Sequence, residues 1–215
     1  MPDRLYFTDS DEANELIATD PLALLVGFAL DQQVAVQKAF SGPLELRKRL
    51  GSFDADTLAS TELEPVFRQR PAIHRFPGSM ASRVQQLAAH VRNRYGADAA
   101  RIWSDAADSE ELHARLAALP GFGEMKIASL AAVLAKRFGV KAAGGLVPSH
   151  PTLGDVDSAQ ALADYQAAKR AHKAQWRAAQ KVSAARRAPR LRPQAGSALR
   201  VRPRSNPALR VRPRS

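Results

Sequence analysis

The chain has no cysteine, and that absence removes both disulfides and any Cys-ligated iron-sulfur cluster from its 215 residues. Aromatic residues are scarce at 6%. Runs of alternating apolar and polar residues are nearly missing, so little in the sequence argues for strands and the body reads as all-α. No apolar run is long enough to span a bilayer, and the start, Met1-Pro2-Asp3-Arg4, lacks the pattern of a secretory signal. A cytoplasmic, DNA-associated protein is the default expectation, with no membrane partner. The histidines, His74, His90, His113, His150 and His172, lie scattered without the pairing of a zinc site, so no metal is expected.

Acids are missing from one region in particular. From Lys181 to the C-terminus there are eleven Lys and Arg and no Asp or Glu, which leaves residues 1–180 with 21 basic against all 21 acidic residues. The net charge of +11 therefore belongs to the tail, and the remainder is formally neutral. The tail contains a tandem repeat, Ala-Leu-Arg-Val-Arg-Pro-Arg-Ser at 198–205 and again at 208–215. Repeated proline and like charge oppose a packed core, so 181–215 reads as a disordered basic segment able to add salt-sensitive DNA affinity. A duplication with little role fits the same pattern.

What is present, at 45% hydrophobic residues, suffices for a helical core. An extended piece around Leu5-Tyr6-Phe7 precedes a polar helix near 9–18. A buried helix is expected over 21–38, followed by a break at Ser41-Gly42-Pro43 and a helical stretch at 44–50. Short helices are expected at 54–59 and 62–69, an amphipathic helix at 80–95 with Val84, Leu87, Ala88 and Val91 inward, and a short one at 99–103. Residues 141–157 read as a Gly/Pro-rich loop, and 159–180 as a closing helix.

The most informative stretch is Leu119-Pro120-Gly121-Phe122-Gly123-Glu124-Met125-Lys126. Asp108 with Glu111 forms a capping pattern for a helix whose apolar stripe is Leu112, Leu116 and Leu119. Ile127, Leu130, Leu134 and Phe138 then repeat at helical spacing until Gly139. Between the two helices, Gly121 and Gly123 permit positive φ or close approach of a partner, and the second helix offers unpaired N–H groups at its positive end. Those donors suit a phosphate. An ordinary helical hairpin, with Pro-Gly as a stop signal, accounts for the same residues.

Leu-Pro-Gly-Phe-Gly between two helices resembles the hairpin of the helix-hairpin-helix DNA glycosylase superfamily, named for that motif and a following Gly/Pro-rich loop with an aspartate. A second segment is similar to the alkyl-base and oxidised-base branches of that superfamily: the apolar helix after Asp20-Pro21, leading into Asp31-Gln32-Gln33-Val34 and on to Ala39. The two lie about ninety residues apart and in the right order. A weaker match is Pro77-Gly78-Ser79-Met80-Ala81-Ser82-Arg83-Val84-Gln85-Gln86-Leu87.

The resemblance implies a two-lobed helical glycosylase fold over residues 1–180, with lobes interleaved in sequence, DNA across the cleft, and 141–157 lining it. It implies base-excision repair: a DNA N-glycosylase that flips a damaged or mismatched base and hydrolyses its glycosidic bond. The partner would be double-stranded DNA containing that base, bound by a monomer. Some members carry an iron-sulfur cluster, which the lack of cysteine excludes here; no other cofactor is implied. The catalytic aspartate would be Asp157, in Val156-Asp157-Ser158, with Asp155 the second candidate. At the position where the family's spacing places it stand Ala143 to Val147, with no acid, and Met125 and Asp157 are 32 positions apart, so the loop carries an insertion. Asp155 capping the closing helix, or an Asx turn at Gly154, is the structural alternative.

DNA contacts would come from Gly121, Phe122, Gly123, Met125 and Lys126, with Gln33 near the gap left by the extruded base. Further basic candidates are Lys136, Arg137, Lys141 and the run from Lys169 to Lys173 with Arg177. Bifunctional members place a Schiff-base lysine where this chain has Met125, and Lys126 lies about 100° away around a helix. A monofunctional enzyme without a lyase step is therefore expected. The alternatives are a non-catalytic helix-hairpin-helix DNA-binding protein and a helical protein-interaction domain.

Overall fold

A computed structural model describes residues 2–171 and Ala174. Their regular structure is all helical, with no strand among the described residues. The basic tail and the end of the expected closing helix lie outside them. The compact unit spans Met1–Lys173.

The N-terminal segment is held by one side chain. Asn14, buried in α1 (Asp11–Thr19), accepts from the Phe7 and Thr8 amides at 3.2 and 2.9 Å and donates to the Thr8 carbonyl at 3.0 Å. A buried amide with its bonds filled fixes the path of Leu5 to Thr8, and Leu5 and Phe7 enter the core. Asp20 then caps α2 (Pro21–Leu30) through the Leu22 and Ala23 amides at 2.8 and 3.2 Å, with Pro21 at the first helical position.

Two expected boundaries are corrected here. α2 stops at Leu30 instead of continuing to 38, and residues 31–35 form a turn in which Gln33 takes φ +58°. α3 (Val36–Leu50) then runs straight through Ser41-Gly42-Pro43. A proline inside a helix costs about 3 kcal/mol. Against it stands the burial of Val36, Ala39, Phe40, Leu44 and Leu46 on one helical face. Gly42 is a packing device here: a Cβ at that position would stand 2.4 Å from Leu30 Cδ1. α2 and α3 therefore pack closely.

The short helices α4 (Ala55–Ser60) and α5 (Leu63–Arg68) lie against α6 (Pro77–Tyr95), which turns Val84, Leu87, Ala88 and Val91 inward as its pattern predicts, and Met80 and Ala81 with them. Arg49 ties the end of α3 to the next segment by donating to the carbonyls of Val66, Gln69 and Pro71 at 2.8, 3.0 and 2.7 Å. α7 (Arg101–Ser104) leads into the hairpin helices α8 (Ser109–Ala117) and α9 (Glu124–Arg137). The expected loop at 141–157 contains two 3-10 turns, Lys141–Leu146 and Leu153–Asp155, both packed on α9. Helical residues 159–171 follow and are called α10. One connected core links all the longer helices from α1 to α9.

Candidate nucleic-acid interface

Asp108 accepts from the Glu111 amide at 2.9 Å, and the Glu111 carboxylate accepts from the Ala107 amide at 2.9 Å. α8 thus starts where the capping pattern places it, and Leu112, Leu116 and Leu119 are buried. At the turn the two glycines differ. Gly121 has φ +81°, the left-handed region that glycine enters without a Cβ penalty. Gly123 keeps an extended φ of −104° as N-cap of α9, and a Cβ built on it would meet no atom within 4 Å. No side chain caps α9; the Lys126 and Ile127 amides donate to the Gly123 carbonyl, which leaves those of Glu124 and Met125 facing an open approach. Such an end attracts an anion.

The predicted contact residues divide sharply. Met125 is 86% exposed beside that opening, whereas Phe122 is buried and pins the turn to the core. Lys126, expected from sequence to contact DNA, points inward. Its Nζ donates to the Ala29 carbonyl at 3.0 Å, at the C-terminal end of α2, and lies 5.7 Å from the Phe122 ring centre. Burial, reinforced by the Arg83 charge and opposed by Asp31, lowers its pKa to about 8. The amine is a tie between α9 and α2.

Two residues unnoticed as site residues join this group. Asp31 opens the Gln-Gln turn; burial raises its pKa, while the charges of Lys169 and Lys126 oppose the shift. Arg83, from the middle of α6, donates to Gln32 Oε1, and its stem crosses Gly121 so closely that a Cβ there would stand 2.6 Å from Arg83 Cδ and Nε. Asp31 was visible beside the Gln pair, and Arg83 lies in the third resembling segment. Nothing local in sequence brings them to the hairpin.

Gln33 is exposed at the tip of its turn, and its carbonyl receives Arg75 Nη1 at 3.5 Å. Arg75 in turn sits 4.8 Å from the centre of the Phe76 ring, which is 38% exposed. Beneath them His74 is buried, accepting from the Phe76 amide at 3.1 Å, and burial lowers its pKa. Its Nε2 is buried without a hydrogen-bond partner among the described residues.

The two candidate acids also differ. Asp155 closes a capping box with Thr152, accepting from the Thr152 amide at 2.8 Å, and takes Lys136 Nζ at 2.6 Å. Burial pushes its pKa up, but Lys136 and the Thr152 amide together hold it below the ordinary value. Arg137 Nε donates to the Gly154 carbonyl at 3.0 Å, and Gly154 lies so near α9 that a Cβ would stand 2.5 Å from the Ala132 carbonyl oxygen. Lys136, Arg137 and Asp155 thus fasten the loop to α9. Asp157 is exposed and makes no hydrogen bond or ion pair among the described residues, while the next residue, Ser158, caps α10 through the Ala161 amide at 3.1 Å.

The arrangement therefore brings the hairpin, Arg83, Lys126 and the Asp31-Gln32-Gln33 turn together, and leaves the Asp155 carboxylate occupied elsewhere. Among the described residues no group of three His, Asp or Glu side chains gathers in a way that would hold a metal ion. Comparison with protein-family models, curated proteins and solved structures finds no match.

Proposed function

We propose that the protein is a monofunctional DNA N-glycosylase of base-excision repair, built on the two-lobed helix-hairpin-helix plan. The observation that carries this reading is the uncapped, open start of α9 beside Gly121 and Gly123, linked to the Gln-Gln turn through Arg83 and to the end of α2 through Lys126. A phosphate grip and a polar tip held as one unit suit a duplex from which one nucleotide has been drawn.

In this mechanism the hairpin holds the backbone of double-stranded DNA by main-chain N–H groups, and Gln33 occupies the gap beside the extruded base. As the base leaves, positive charge grows on the sugar; the Asp157 carboxylate stabilises it and orients the attacking water, whose proton it accepts. Asp155, bound to Lys136 and Thr152, keeps the loop in place. Met125 has no amine to attack the sugar, and Lys126 donates to Ala29, so no lyase step follows.

A panel of duplexes carrying alkylated, oxidised and deaminated bases tests the reading. Base release is expected for at least one member and should vanish in Asp157→Asn. Full activity in that variant rejects the assignment of Asp157. A second reading, a DNA-binding protein without catalysis, is favoured by the 32-position gap between Met125 and Asp157 and predicts binding to an abasic analogue with no release from any duplex.

A further inference from the structure

Arg83 belongs to neither the hairpin nor the Gln-Gln turn, yet it touches both. Its stem lies across the α-carbon of Gly121, where the chain has φ +81°, and its guanidinium donates to the side chain of Gln32. The two contacts come from neighbouring atoms near the tip of one side chain: Cδ, Nε and Cζ lie against Gly121, and Nη1 reaches Gln32. Gln32 adjoins Gln33, whose φ of +58° is costly for a residue other than glycine and persists only where neighbours hold it. From the other side Arg75 reaches the Gln33 carbonyl, and Lys126 draws the start of α9 to Ala29. The turn is thus braced from α6 and α9 against the hairpin.

We infer that Arg83 is a positioning residue that sets the distance between the phosphate-gripping turn and the Gln32-Gln33 tip, and so confers preference for DNA with an extruded or missing base over intact duplex. The inference rests on the proposed DNA function for its ligand, but the brace itself is testable without DNA. Arginine suits this task because its apolar stem fills the space that a glycine leaves open, while the rigid, always charged fork reaches a neutral acceptor. Methionine keeps most of the stem and loses the donor; alanine loses both.

The experiment compares wild-type protein with Arg83→Met, Arg83→Lys, Arg83→Ala and Gln32→Ala. In the free protein, amide hydrogen exchange is followed over 30–36 and 119–125, with thermal midpoints as the control for folding. Arg83→Met should speed exchange over 30–36 only, and Arg83→Ala over both segments. In the second arm, binding of a duplex with a tetrahydrofuran abasic analogue is compared with the intact duplex. Arg83→Met should lower the preference for the abasic duplex about tenfold, the size of one lost charge-assisted hydrogen bond, and leave intact-duplex affinity unchanged. Gln32→Ala should match it, the double variant should be no worse, and Arg83→Lys should restore part of the preference.

Unchanged exchange over 30–36 in Arg83→Met, or additive losses in the double variant, overturns the inference. An equal loss of affinity for both duplexes reduces Arg83 to general support and overturns it too. If exchange responds as stated but wild-type protein shows no preference for the abasic duplex, the brace stands and the DNA reading fails.

Discussion

Lys126 changes meaning once its surroundings are known. Its pKa of about 8 lies below the ordinary 10.5, so between those values the unfolded chain holds a proton that the folded protein lacks. Stability should therefore rise as pH climbs from 8 to 10.5, the cost of the buried charge being fully present below 8. Denaturant midpoints at pH 7.5, 9 and 10 should show this rise in wild-type protein and lose Lys126's share of it in Lys126→Met. Reductive methylation with a ¹³C label should give one lysine signal titrating near pH 8 that is absent from that variant. The sequence did indicate that Met125 and Lys126 face different ways, because adjacent helical residues diverge by about 100°. The acceptor is a carbonyl 97 positions away, which no local pattern reveals. Arg83 was equally hidden, since its importance depends on a glycine in the turn between two other helices.

At the scale of elements, the hairpin was legible because its signals are local: a capping pattern, two glycines and a 3.6-residue repeat. The end of α2 was not. Leu22 to Leu30 are all buried, so the helix carries no apolar face whose interruption would mark its end, and Gly42-Pro43 reads as a stop until Leu30 is seen packed against it. The loop after α9 separates two acids that the sequence ranks only through a resemblance, Asp157 first and Asp155 second. Asp155→Ala should lower stability by about 1 kcal/mol through loss of the capping box, with the further loss of the Lys136 pair, measured by chemical denaturation, and should leave base release nearly unchanged in folded protein. Asp157→Asn should do the reverse, with an unaltered midpoint and no release. If both variants are merely destabilised, the loop is a scaffold and holds no reacting group.

For the whole molecule, charge and fold are divided along the chain. All of the net +11 resides beyond Gln180, in residues outside those described, and the neutral part carries the hairpin. Removing 181–215 should weaken binding to intact duplex and flatten its salt dependence, while leaving any preference for the abasic analogue in place. Titrations at two or more salt concentrations measure both effects. If the preference disappears with the tail, the neutral part is not the reader of damage. No single helix among the described residues is long and apolar enough to cross a membrane.

α9 also acts as a ruler. Its first turn opens beside the glycines and its twelfth step reaches Lys136, where the acid loop is fastened, so one rigid rod of about 18 Å sets the span between two sites. Inserting a single residue within α9 would swing the far attachment by about 100° and lengthen the rod by about 1.5 Å. The same insertion at 147–150, outside both 3-10 turns, would leave that span untouched. Length variation in this protein should be tolerated in the loop and rejected by the rod.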